Sequence, residues 1–254
     1  MGLRHCLLAG LGLAALTGAA WADPSARHDD TPGLVLSGYL FASAIQGQAS
    51  AVEGLPPAAL DLSFGDVLEN LDGGLMGAAE YRTGAFSLLG DAMVSQVSPD
   101  GMLPGPLQST VELRQRALTL QATALYRVQA TSTTRWDLGV GLRYSHLDTR
   151  ATMAADGLGT RSRSQSRDWV DPVLAARFRG ALSDRWSATA YGDYGVTGIG
   201  SEKTWQLLGT LDYSWSDRVS VRIGYRALAT DYRDGDYVYD VTLRGPLLGV
   251  SYRF

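Results

Sequence analysis

The sequence predicts an all-β chain closed into a transmembrane antiparallel up-and-down β-barrel of ten strands, with eight as the alternative count. Three observations predict it. Apolar and polar residues alternate along successive segments, the connections between segments alternate in length, and aromatic residues gather toward segment ends.

The first element precedes any strand. Residues 1–22 carry Arg4, an apolar stretch from Leu7 to Leu16, and Ala20-Trp21-Ala22 before Asp23, the layout of a secretory signal peptide with an A-x-A cleavage site. A periplasmic tail is expected over 23–32 and the barrel domain over 33–254. Without the leader, 21 basic and 26 acidic residues remain, a net charge of −5, which disfavours a nucleic-acid binder. Cys6, the one cysteine, leaves with the leader, so the exported chain has no disulfide, thiol nucleophile or cysteine metal ligand. No cofactor and no metal site is expected. The mean hydropathy of −0.05 suits a soluble domain and a barrel equally, because a barrel places apolar residues at every second position.

Ten strand segments follow, at about 33–45, 73–82, 85–97, 110–128, 135–148, 168–182, 185–197, 202–215, 218–230 and 239–254. The fifth sets Trp136, Leu138, Val140, Leu142 and Tyr144 on one face against Asp137, Gly139, Gly141, Arg143 and Ser145 on the other. The ninth sets Val219, Val221, Ile223, Tyr225 and Ala227 against Arg218, Ser220, Arg222, Gly224 and Arg226. A soluble sheet shows water a Lys- and Glu-rich face; here the polar face holds Gly, Ser, Thr and charges of both signs, as a packed lumen requires. Long connections are expected at 46–72, 98–109, 149–167 and 231–238, and short ones at Thr83-Gly84, 129–134, Ser183-Asp184 and Ser216-Asp217. The short connection at 198–201 breaks this rhythm and keeps eight strands open. With the short turns on the periplasmic side, Tyr81, Phe86, Tyr126, Trp136, Trp186, Tyr213, Trp215, Tyr252 and Phe254 form one girdle, and Tyr144, Tyr194 and Trp205 mark the other.

Parity also assigns the lumen. Glu80, Asp91, Asp137, Asp171, Asp193 and Asp212 face inward with Arg127, Arg143, Arg177, Arg179, Arg222 and Arg226, and mutual pairing of these charges predicts a filled interior rather than a wide pore. A narrow, charged passive channel is the rival reading. His146, near the outer end of its strand with Ser145 and Asp148 as neighbours, is the best candidate general base for a lipid- or peptide-cleaving enzyme. Ser145 and His146 point to opposite faces, so no local triad follows, and a non-enzymatic chain is expected. Arg150, Arg161, Arg163 and Arg167 in the expected loop 149–167 offer a contact to lipopolysaccharide phosphates. Asp231, Asp234, Asp236 and Asp240 offer them a partner within the chain. Val67, Leu68 and Leu71 have helical spacing, which predicts a short amphipathic helix in the first outer loop.

Several motifs together carry a family resemblance. Phe64-Gly65-Asp66-Val67-Leu68-Glu69-Asn70-Leu71, Glu80-Tyr81-Arg82, Asp91, Asp168-Trp169-Val170-Asp171-Pro172, Leu182-Ser183-Asp184-Arg185-Trp186, Gly224-Tyr225-Arg226 and Gly245-Pro246-Leu247-Leu248-Gly249 resemble the small outer-membrane β-barrel proteins of Gram-negative bacteria, most of them known only as hypothetical proteins. The likeness runs from Tyr39 to Phe254 and implies fold and outer-membrane location, with no catalytic residues to carry over. Gly249, Tyr252 and terminal Phe254 resemble the signal read by the barrel-assembly machinery, an implied partner alongside outer-membrane lipid and lipopolysaccharide. A monomer with a structural or envelope-interaction role is expected.

Overall fold

A computed structural model describes residues 32–50, 57–98, 100–103, 109–155, 159–196 and 198–254, with side chains except at 99–113 and 153–161. The expected signal peptide, nearly all of the tail, and the side chain of Arg161 lie outside the described residues.

The elements in chain order are β1 (Gly33–Phe41), β2 (Ala44–Ala49), β3 (Ala58–Leu62), α1 (Phe64–Glu69), β4 (Leu71–Thr83), β5 (Phe86–Val97), β6 (Asp100–Leu103), β7 (Ser109–Ala130), β8 (Thr134–Ala155), β9 (Gly159–Ala181), β10 (Trp186–Gly195), β11 (Lys203–Ser214), β12 (Val219–Asp234) and β13 (Tyr237–Arg253). Antiparallel pairing runs β1-β4-β5-β7-β8-β9-β10-β11-β12-β13, and β13 pairs back onto β1 from Tyr252 opposite Leu36 to Leu247 opposite Phe41. The sheet therefore closes as a ring of ten strands, and the eight-strand alternative falls. Closure matters physically because a ring leaves no row of unpaired backbone groups facing hydrocarbon. Gly249 lies at the closing seam, where a Cβ would meet Cβ of Tyr39 at 2.9 Å.

Short turns join β4 to β5, β7 to β8, β9 to β10 and β11 to β12 at the end that also holds both barrel termini, where the Phe254 N–H donates to the Leu34 carbonyl. Rings pair along this end: Phe86 with Tyr126 (4.9 Å), Trp136 with Phe178 (4.8 Å), Trp186 with Tyr213 (5.0 Å) and Tyr252 with Phe254 (4.8 Å). Leu138, Val140, Leu142, Leu174, Leu207, Leu211, Ile223, Leu248 and Val250 are exposed on the exterior between this girdle and the opposite end. That apolar belt is what a bilayer would cover.

The opposite end departs from the expected loops. The segment 149–167 is mostly strand: β8 and β9 continue as a long hairpin, with Arg150 opposite Ser164 and Ala151 opposite Arg163. Arg161-Ser162-Arg163-Ser164-Gln165-Ser166-Arg167 alternates with period two, but both of its faces are polar because the hairpin has left the apolar belt, so it reads as a loop. The segment 231–238 is likewise not a loop. β12 and β13 turn tightly at Gly235-Asp236, with Gly235 at φ +58°, the left-handed region that glycine enters without a Cβ clash. Within 46–72, β2 continues β1 along β13 in the same register, β3 forms a hairpin with β2, and α1 leads into β4. The expected helix, read from the sequence over 66–71, thus occurs two residues earlier, over 64–69. Its start is a capping box in which the Ser63 hydroxyl accepts from the Asp66 N–H and the Asp66 carboxylate accepts from the Ser63 N–H at 2.8 Å. The Ser63 hydroxyl also donates to that carboxylate at 2.7 Å, and this bond together with the one from the Ser63 N–H holds the exposed Asp66 carboxyl below the usual range.

The belt and the extended hairpin give opposite expectations for one strand. Leu142→Arg, at mid-belt on β8, should lower unfolding stability in lipid by roughly 2–4 kcal/mol. Arg150→Leu, on the same face beyond the belt, should leave it nearly unchanged; urea titration of refolded protein in lipid vesicles reads both.

Candidate functional site

The lumen is where the sequence concentrated its charges, and closure of the ring brings them together from distant strands. Nearest the short turns, Glu80 on β4 accepts from Arg177 Nη1 (2.8 Å) and Arg179 Nη2 (2.6 Å) on β9, from Arg82 Nη2 (2.9 Å), and from the Ser87 hydroxyl (2.7 Å). Arg177 also reaches Asp137 on β8 at 2.8 Å, and Arg135 Nε approaches the other Asp137 oxygen at 3.0 Å. Arg82 and Arg135 are members that the parity reading passed over, although each shares a face with its carboxylate two residues away. Beside this cluster Arg222 pairs with Asp212, which also accepts from Thr210 at 3.0 Å.

A second layer lies at mid-barrel. Arg143, 1% exposed, donates to Asp193 (2.6 Å), to Gln121 (2.9 Å) and to the Thr204 hydroxyl (2.7 Å). Arg226 donates to Asp91 (3.0 Å), Gln206 Oε1 and the Tyr39 hydroxyl (2.9 Å), and that hydroxyl donates to Asp91 at 2.7 Å. Gln206 Nε2, 3.5 Å from Asp193, approaches the first set from the second. Every lone pair and proton of a buried charge needs such a partner, since a buried unpaired ion costs several kcal/mol.

Two inward charges of the expected set behave differently. Asp171 has no arginine among its described hydrogen-bond partners. It accepts from the Ser201 N–H and hydroxyl, both at 2.7 Å, and from Trp169 Nε1 at 3.1 Å. The short 198–201 connection therefore folds over the lumen and is tied down by Asp171. Gly200 permits the approach, because a Cβ there would lie 2.3 Å from the Val170 carbonyl oxygen and the backbone has φ +79°. Arg127 sits at the short-turn end and donates to the Gly84 carbonyl at 2.6 Å, bracing that turn.

The lumen is also less polar than expected. Leu125, Ala175 and Tyr191 form one buried apolar group, Phe41, Met93 and Leu228 a second, and Leu147, Trp169, Tyr232 and Tyr237 a third at the outer end. Trp169 stacks on Tyr232 at 4.1 Å, and Arg167 lies 5.5 Å over the Tyr237 ring. Apolar residues at inward parity on the relevant strands were the available signal.

The remaining candidates separate. His146 faces outward, parallel to Tyr144 at 6.5 Å and opposite Asp168 in register, while Ser145 is buried inward. Arg150 faces outward, whereas Arg163 and Arg167 share the luminal parity of Ala151 and Leu147, so the four arginines do not make one outward patch. Arg167 instead pairs with Asp234 at 3.2 Å. Asp231 and Asp240 face each other across β12 and β13 on the exterior, and Asp236 occupies the turn. Among the described residues no cluster of three or more His, Cys, Asp or Glu could hold a metal ion.

No protein-family model matches this chain, and no curated protein matches it. Solved structures do. The outer-membrane protease OmpT of Escherichia coli is similar with a TM-score of 0.59 at 10% identity, covering 88% of this chain and 97% of that one. The translocator domain of the autotransporter NalP of Neisseria meningitidis is similar with a TM-score of 0.50 at 14% identity, covering 90% of each. At these identities the likeness shows the fold: this chain has the architecture of the Gram-negative outer-membrane β-barrels.

The Glu80 cluster should be the most sensitive part of the lumen. Arg177→Ala leaves two buried carboxylates short of a partner and should cost about 3–5 kcal/mol, while Arg163→Ala on the exposed hairpin should cost under about 0.5 kcal/mol. Urea denaturation midpoints in lipid compare the two.

Proposed function

We propose that the chain is an integral protein of the Gram-negative outer membrane whose lumen is filled by its own side chains, and that it serves as a structural or envelope-contact protein. The observation that carries this reading is the stacking of closed layers along the barrel axis. The Glu80 cluster, the Arg143 and Arg226 networks and the aromatic group around Trp169 each span from one wall toward another. An ion following the axis would have to break paired, buried charges in succession, each at a cost of several kcal/mol. A conducting lumen instead keeps weakly held, hydrated groups along its path.

The location is supported by the fold, by the exposed apolar belt and by its aromatic girdle. A non-enzymatic role is supported by the position of His146, which faces away from the lumen. The OmpT structure is that of a protease, but its likeness to this chain extends to fold.

Planar-bilayer recording tests the filled lumen. Purified mature protein, inserted with verified heat-modifiable mobility, should give no unitary conductance steps. Regular steps in most insertions would establish the narrow channel in its place.

A further inference from the structure

The exterior of the barrel is not evenly filled. One register row runs Phe178 on β9, Ala190 on β10, Gly209 on β11 and Tyr225 on β12, so two large rings flank an alanine and a glycine. The adjoining row sets Ala176 and Gly192 beside Leu207. The result is an open groove of about 840 Å³ along β10, closed on the β8 side by Trp136. A Cβ built on Gly209 meets nothing within 4 Å, so the space beside it holds no protein atoms.

The groove lies inside the apolar belt and within one leaflet. Ala190 and Gly192 follow Trp186 of the girdle by ~13 and ~20 Å along β10, and strand tilt brings both within about 15 Å of depth, half of the hydrocarbon core. At its foot stands a cation. The turn Ser183-Asp184-Arg185 leads into β10, with the Ser183 hydroxyl accepting from the Trp186 N–H at 3.2 Å, and exposed Arg185 donates through Nη1 to the Tyr213 hydroxyl at 3.2 Å. Tyr213 in turn packs on Trp186 at 5.0 Å, which holds the guanidinium on the exterior at the level of the girdle, where headgroups lie.

The same turn occurs a second time without a groove. Ser216-Asp217-Arg218 leads into β12, the Ser216 hydroxyl accepts from the Val219 N–H at 3.1 Å, and Arg218 Nη1 lies 3.5 Å from the Tyr252 hydroxyl. Beyond it, β12 carries Val221 and Ile223 at the positions that Ala188 and Ala190 hold on β10. Arginine and aspartate are common to both turns; the cavity is not.

We propose that the β10 groove holds one phospholipid of the leaflet at the short-turn end, with its phosphate on Arg185 beside Tyr213 and one acyl chain lying over Ala190 and Gly192. The apolar lining matches a hydrocarbon chain, and the guanidinium at the foot complements an anionic phosphate. An uncharged hydrocarbon would make no use of Arg185, and a soluble phosphate none of the groove. The proposal rests on the membrane location given above.

Native mass spectrometry tests it on mature protein released from nanodiscs of palmitoyl-oleoyl phosphatidylglycerol. Insertion is read first by heat-modifiable mobility, and its absence in wild type would overturn the membrane reading itself. Inserted wild type should retain one lipid per chain. Gly209→Leu, which fills the groove, and Arg185→Ala, which removes the cation, should each lower the retained fraction at least threefold, while Arg218→Ala should leave it unchanged. Ala190→Leu provides the same test should Gly209→Leu fail to insert. No retained lipid in inserted wild type, retention untouched by filling the groove, equal losses from Arg185→Ala and Arg218→Ala, or a lipid-free dimer would overturn the proposal.

Discussion

The pairing of arginine with carboxylate across a narrow lumen is the interaction on which the rest of this structure depends. Arg177, Arg143 and Arg226 are nearly inaccessible, and each is held by an acid from another strand. Net stabilisation from such pairs is small, since desolvation offsets most of the attraction. Their larger effect is on register. A slip of one residue on β8, β9 or β12 would carry an arginine from the lumen to the lipid face, at roughly 2–4 kcal/mol each near mid-membrane, and leave its acid unpaired inside. Alternative closures are thereby penalised from both faces at once.

The wall obeys a related constraint. From the short turns up to the rung of Gly38 and Gly77 β1 and β4 are paired, and among the described residues the pairing on that edge resumes at Ile45 opposite Leu62. Beyond the apolar belt, polar on both faces, the hairpins of β7, β8 and β9 continue as ordinary sheet in water, and tight turns replace long loops where Gly235 permits them. The one short outer connection that disturbed the strand count is shortened by use: Asp171 holds Ser201 over the lumen.

Much of this was legible in the chain because lipid imposes a one-sided test on every second residue. Trp136 to Tyr144 and Val219 to Ala227 announce their strands, and the structure starts each within one residue of the start read from the pattern but carries β8 seven residues and β12 four residues past the expected outer end. Legibility fails where the lipid stops. Arg161 to Arg167 alternates as cleanly as any spanning strand, yet arginine and serine are both acceptable to water, so the alternation carries no hydrophobic contrast. The partner of Asp171 was illegible for another reason: it comes from the backbone of a connection thirty residues away, which no parity rule addresses. The interior apolar groups were within reach, since Leu125, Leu147 and Leu228 sit at inward positions; pairing of opposite charges drew attention to half of the lumen only.

The central claim, that cross-lumen pairs set the folded arrangement, is tested most directly by a double-mutant cycle on Arg143 and Asp193, using Arg143→Met and Asp193→Leu with urea unfolding in lipid vesicles. The account predicts that each single change costs about 3–5 kcal/mol and that the double variant is more stable than either single one, because no orphaned charge remains. Additive losses, with the double variant the least stable of the three, would contradict it.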